Sequence, residues 1–101
     1  MDFSKLMQEA QRMQKEMKEK QDNLETTLFT AESAGGACKV EIYGSYNVKS
    51  ITLDKDAIDP SDKEMLEDIV KTAVNLAIQK VQDASNKIAE DMKAGLSYPG
   101  M

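Results

Sequence analysis

The chain contains no histidine and no tryptophan, one cysteine and two prolines. Without histidine there is no Ser–His or Cys–His couple to activate a nucleophile, and no imidazole to ligate a metal. A single cysteine can close no internal disulfide and build no thiolate zinc site. No apolar run approaches membrane-spanning length. The opening residues Met1-Asp2-Phe3-Ser4-Lys5-Leu6 do not read as a signal peptide, so a reducing cytoplasm is the expected location. Neither an enzyme nor a cofactor or small-molecule substrate is expected from such a residue set.

What is present is a soluble, globular composition of 101 residues, 41% apolar and 31% charged, with a net charge of −5. That length makes one small domain, expected over residues 1–95, with 96–101 as a loose tail containing Pro99-Gly100. A domain of this size buries only a little over ~60% of its unfolded surface, so a partner chain would help it.

Residues 3 to 25 read as one helix, free of Gly and Pro and rich in Gln, Glu, Lys and Met. Phe3, Leu6, Ala10, Met13, Met17, Lys20 and Leu24 alternate at spacings of three and four, a heptad seam interrupted at Lys20. Three heptads are short for an independent coiled coil, so the seam is expected to dock on something.

From Thr26 the period changes to two, and residues 26–34, 37–44 and 47–54 read as three strands. A hairpin turn at Gly35-Gly36 sets Phe29 opposite Ile42, Ala31 opposite Val40 and Ser33 opposite Cys38. The other face then pairs Leu28 with Tyr43 and Glu32 with Lys39, which makes the register self-consistent. A second turn centred on Ser45-Tyr46 sets Val40 beside Ile51 and Cys38 beside Leu53. The expected core face is Phe29, Ala31, Cys38, Val40, Ile42, Ile51 and Leu53, with Lys49 at its rim. Leu28, Tyr43 and Val48 would cluster on the opposite face, either as ordinary surface apolarity or as a subunit contact.

Pro60 and a Ser61/Glu64 capping box announce a second long helix, which Gly95 should stop. About 30 residues at ~1.5 Å each give a helix of roughly 45 Å. A compact domain of ~100 residues has a radius of gyration of only about 13 Å. Such a helix must project, exposing its apolar stripe, and a three-stranded sheet leaves two open edges. Association of two chains relieves both problems, so a homodimer is expected.

The net charge is local. Residues 54–68 hold seven acids against Lys55 and Lys63, which is −5, the whole excess. Asp54-x-Asp56 imitates the start of a calcium loop, but Ile58 and Met65 occupy positions that need ligands and the required Gly is missing. A solvated loop followed by acids at a helix N-terminus accounts for the run. Cys38 reads as a buried structural cysteine, and Gly35-Gly36 is followed by a strand rather than a phosphate-binding helix. The Met7, Met13 and Met17 stripe reads as core or dimer seam, with an adaptable partner-binding role left open. Lys5, Arg12, Lys15 and Lys18 each have an acid four residues on, the pattern of a solvated helix face. Lys80 and Lys87 share a face of the second helix.

Taken together the chain resembles the YbaB/EbfC family of bacterial nucleoid-associated proteins. The resemblance rests on Leu6-Met7-Gln8-Glu9-Ala10-Gln11-Arg12-Met13-Gln14, Gly36-Ala37-Cys38-Lys39-Val40-Glu41-Ile42-Tyr43-Gly44, Val48-Lys49-Ser50-Ile51-Thr52-Leu53-Asp54, and Asp62-Lys63-Glu64-Met65-Leu66-Glu67-Asp68-Ile69-Val70. It implies an α+β fold of helix, three-stranded antiparallel meander and long helix, dimerised with joined sheets and helices projecting like tweezers. It also implies largely sequence-tolerant binding of double-stranded DNA, with effects on nucleoid organisation and gene expression, in the cytoplasm on the nucleoid. By position, the DNA-binding candidates are Lys5, Arg12, Lys15, Lys18, Lys80 and Lys87. The dimer-contact candidates are Leu28, Tyr43, Val48, Met13 and Met17. The alternative reading is a protein-interaction module that uses its Met-rich helix and touches no DNA.

Overall fold

A computed structural model describes residues 2–95 of the chain. Helix α1 spans Phe3–Thr26, strand β1 Leu28–Ser33, β2 Cys38–Tyr43, β3 Val48–Leu53, and helix α2 Lys63–Gly95. The expected order of helix, meander and helix is therefore present, as one antiparallel sheet in the order β1-β2-β3. The expected tail at 96–101 lies outside the described residues.

The β1–β2 register is the one the hydrophobic pattern dictates, with Phe29 opposite Ile42, Ala31 opposite Val40 and Ser33 opposite Cys38. The connection differs from a two-residue turn. Ala34 to Ala37 all leave the ladder, and Ala34, Gly35 and Gly36 take φ of 51°, 66° and 95°. The two glycines absorb most of this left-handed run without a Cβ penalty.

The β2–β3 pairing corrects the sequence reading. Cys38 opposes Leu53 and Val40 opposes Ile51, as expected, but a bulge after Glu41 sets Val48 opposite Ile42 instead of Tyr43. The cause is the turn. Gly44-Ser45-Tyr46 forms a three-residue loop, closed by Tyr46 N–H to the Tyr43 carbonyl and Tyr43 N–H to the Asn47 carbonyl, both 2.9 Å. Tyr46 enters the left-handed region at φ 68°, which matches a type I turn plus bulge. Lys49 becomes the extra residue of the bulge rather than a rim residue. Val48 thus moves to the α2 side of the sheet, away from Leu28 and Tyr43.

Helix α2 lies across β1 and β2 and scarcely touches β3. Ala31, Cys38, Val40 and Ile42 of the sheet meet Ala73, Ala77 and Val81 of α2 in the buried core. Small residues at 73 and 77 let the helix come close. Ser33 is buried and satisfied, its hydroxyl donating to the Ile69 carbonyl at 2.7 Å. Phe29 and Leu53 are half-buried, and Ile51, an expected core residue, is 47% exposed. A helix about 10 Å wide covers roughly two strands spaced ~4.8 Å apart, so the third is left bare. Burial pushes the Cys38 thiol up from its ordinary range.

The start of α2 also differs from the expected capping box. Asp62 is the cap, its carboxylate accepting from Met65 N–H at 3.2 Å. Pro60 sits in the preceding turn, closed by Asp62 N–H to the Asp59 carbonyl at 2.9 Å. Ser61 gives its hydroxyl and its N–H to the Asp59 carboxylate instead, and these bonds hold that carboxyl below its ordinary range. Asp54 caps a short 3-10 turn through Asp56 N–H at 3.1 Å. Three acids of the run, Asp54, Asp59 and Asp62, are thus occupied with nearby backbone, while Glu67 and Asp68 pair with Lys63 and Lys71.

Helix α1 joins this body only at its end. Leu24 is its one buried residue, and Met13 and Gln21 are half-buried. The principal extents are 72 × 27 × 16 Å and the radius of gyration is 20.0 Å, against the compact value of about 13 Å. The helices project, as their length requires.

Candidate nucleic-acid interface

The contacts of α2 fix its direction. Ile69 lies beside Ser33 at one end of β1, Lys80 reaches the Thr30 carbonyl, and Ala84 and Ile88 share a crevice with Phe29 and Leu24 at the other end. The acidic segment 54–68 therefore sits at the pole of the Ala34–Ala37 connection. Helix α1 leaves from the opposite pole and carries its bases away. Along α2, Asp68 and Lys87 are separated by ~28 Å. That is several Debye lengths of ~8 Å at physiological salt, so the acidic pole scarcely weakens the field at the arm.

On α1, Lys5 and Arg12 are seven residues apart and share one face. They border a single shallow groove with Gln8 and Glu9. This face lies opposite the apolar seam. Lys15 and Lys18 step progressively around the helix, so the four bases form a spiral rather than one straight stripe. Of the four expected i,i+4 ion pairs, only Arg12–Glu16 closes among the described residues, at 3.5 Å and with both side chains exposed. Such a pair is worth little and is easily exchanged for a phosphate.

The two candidates on α2 differ in kind. Lys80 donates to the Thr30 carbonyl. Thr30 pairs with Glu41 at a position where its own polar groups face the open edge of β1, so Lys80 shields that edge. Lys87 lines a crevice of about 330 Å³, whose other wall carries Lys20 and Asn23 of α1. Lys20 was not among the sequence-derived candidates. It registers in the sequence only as a break in the apolar seam, and its approach to Lys87 depends on how the helices cross.

The dimer-contact candidates divide. Leu28 and Tyr43 are paired as expected. Val48 joins exposed Ile51 on the other face, beyond the cover of α2. Met17 is exposed and Met13 half-buried. Phe3, 74% exposed, ends an unpartnered stripe that includes Leu6 and Met7.

The class defined by this geometry is a small α+β protein of one sheet, one covering helix and one projecting helix. A crystallised, uncharacterized protein from Helicobacter pylori has the same fold. It superposes with a TM-score of 0.73 at 26% identity, covering 91% of this chain and 97% of that one. The model of the YbaB/EbfC DNA-binding family matches residues 1–96, and the chain belongs to that family. A nucleoid-associated protein of Francisella philomiragia is 44% identical, with 97% of this chain and 90% of the relative aligned. One from Anaeromyxobacter dehalogenans is 38% identical over 100% of this chain and 98% of its own. Among the described residues, no helix is long and apolar enough to cross a membrane.

Proposed function

We propose that this chain is a nucleoid-associated protein that binds double-stranded DNA as a homodimer, through sequence-tolerant phosphate contacts from its projecting helices. Its place would be the cytoplasm, on the nucleoid, where coating DNA alters nucleoid organisation and gene expression. The observation that carries the reading is membership of the YbaB/EbfC DNA-binding family over residues 1–96. The charge distribution permits it, since residues 3–25 hold five bases and five acids and stand clear of the acidic segment. Lys5, Arg12, Lys15 and Lys18 stand on an arm directed away from the segment that holds the whole net charge of −5. Lysines and arginines spread along a helix position a duplex but read little sequence. The homodimer is supported by Val48 and Ile51, which leave one side of the core uncovered.

The test is a mobility-shift titration on unrelated duplexes at several salt concentrations. Similar affinities are expected on each duplex, falling steeply with salt. Replacing Lys5, Arg12 and Lys15 with Ala should reduce the log–log salt slope by about 3 for each protomer that engages the duplex, up to about 6 for the homodimer, roughly one per lost phosphate contact. Absence of binding, or an unchanged slope, contradicts the proposal. The exposed Phe3, Leu6, Met7 and Met17 stripe favours a second reading, a protein-interaction module. That reading expects partner capture to be lost in Met13→Glu and Met17→Glu, with no duplex binding by the purified protein.

A further inference from the structure

The base of α1 is a tight joint. Its last turn is closed by Thr27 N–H to the Leu24 carbonyl at 3.0 Å and by the Thr27 hydroxyl to the Asn23 carbonyl at 2.7 Å. The Thr27 carbonyl then accepts Gly44 N–H at 3.0 Å. Gly44 itself is buried, and the Leu24 backbone rests on its α carbon. A Cβ at Gly44 would overlap the Leu24 carbonyl oxygen, at 2.6 Å from the carbonyl carbon and 2.9 Å from Cγ. The obstacle is helix backbone, which cannot rotate away as a side chain could.

We infer that Gly44 is a positioning residue for DNA binding: its missing side chain seats the end of α1 and so sets the angle at which the arm that carries Lys5, Arg12, Lys15 and Lys18 leaves the body. The inference rests on the proposed role of α1 in DNA contact. Lys5 stands ~28 Å beyond Leu24 along the helix, so a tilt of about 10° at the joint carries it roughly 5 Å. A phosphate hydrogen bond is only ~3 Å long, so that displacement breaks it. The buried core cluster contains no residue of α1, so the body keeps its packing when the arm is re-aimed.

The experiment compares the full-length chain with Gly44→Ala. Spin labels at Gln14→Cys and Gln82→Cys, both exposed positions, report the separation of α1 from α2. Labelled chains are diluted into unlabelled ones, and buried Cys38 stays unlabelled. Duplex binding over a salt series is measured in parallel. A tilt of about 10° carries Gln14, ~15 Å from Leu24, by roughly 3 Å, so Gly44→Ala is expected to shift the label separation by about that much and to lower the log–log salt slope by about 1 to 3. Gly36→Ala is the control. It strains a φ of 95° far from α1, so it costs stability but should move neither readout.

A folded Gly44→Ala with unchanged separation overturns the inference, and so does a shifted separation with an unchanged slope. Wild-type chain that binds no duplex overturns the proposed function itself, whatever the labels report. Should Gly44→Ala not fold, Leu24→Ala takes its place. It spares the backbone contact but empties the seat, so the separation should broaden about the same mean and the slope should fall. An unbroadened distribution overturns the inference.

Discussion

Of the two long helices, α2 buries Ala73, Ala77 and Val81 completely, whereas α1 buries only Leu24. Both carry an apolar stripe along their length. On α2 the stripe is made of small and β-branched residues that lie close against a sheet. On α1 it is made of Phe3, Leu6, Met13 and Met17, long side chains with no sheet beneath them. Stability is therefore concentrated in the body, and the arm depends on local helix chemistry, its Asp2 cap and its joint at Leu24. Most helix stability in proteins comes from tertiary packing, which α1 has only near Leu24, so the arm should open more readily than the core.

The comparison is broken most directly by paired truncations. Ile42→Ala removes a fully buried side chain and should cost about 2–5 kcal/mol in urea unfolding. Leu6→Ala on the exposed arm should change the same midpoint by less than ~0.5 kcal/mol. Equal costs would mean that the arm is packed after all. Ser33→Ala comes next, with an expected loss of about 1 kcal/mol, because it removes the hydroxyl that ties β1 to α2 at Ile69. A smaller effect concerns acid. The Asp59 carboxyl is held low by Ser61, so its contribution is present above the ordinary Asp range and is lost as pH falls through the lowered value. Thermal melts should fall with acidification slightly less steeply in Asp59→Ala than in the wild type.

Much of the body was legible in the sequence because two signals agreed there. Alternation and the Gly35-Gly36 turn point to one β1–β2 register, and the structure has it. The β2–β3 shift was not legible, since it follows from a left-handed Tyr46, and tyrosine does not announce that conformation as glycine or asparagine would. Ile51 alternates like a core residue, but its exposure depends on how far one helix reaches across three strands. Ser61 and Asp62 are both good caps, and the Asp59–Pro60 turn decides between them. Length points to projection of the second helix, while projection of α1 with its bases is implied only by the family resemblance. The shielding role of Lys80 and the placing of Lys20 and Lys87 on one crevice could not be read, because both depend on tertiary contacts.

The division of labour between arm and body is tested most directly by amide hydrogen exchange with and without a short duplex. Residues 3–20 should exchange quickly in the free protein and gain protection on duplex addition, together with the region around Lys87. The core strand β2 and the middle of α2 should be protected in both states. Protection that instead appears in the acidic segment 54–68, with α1 unchanged, would contradict the account.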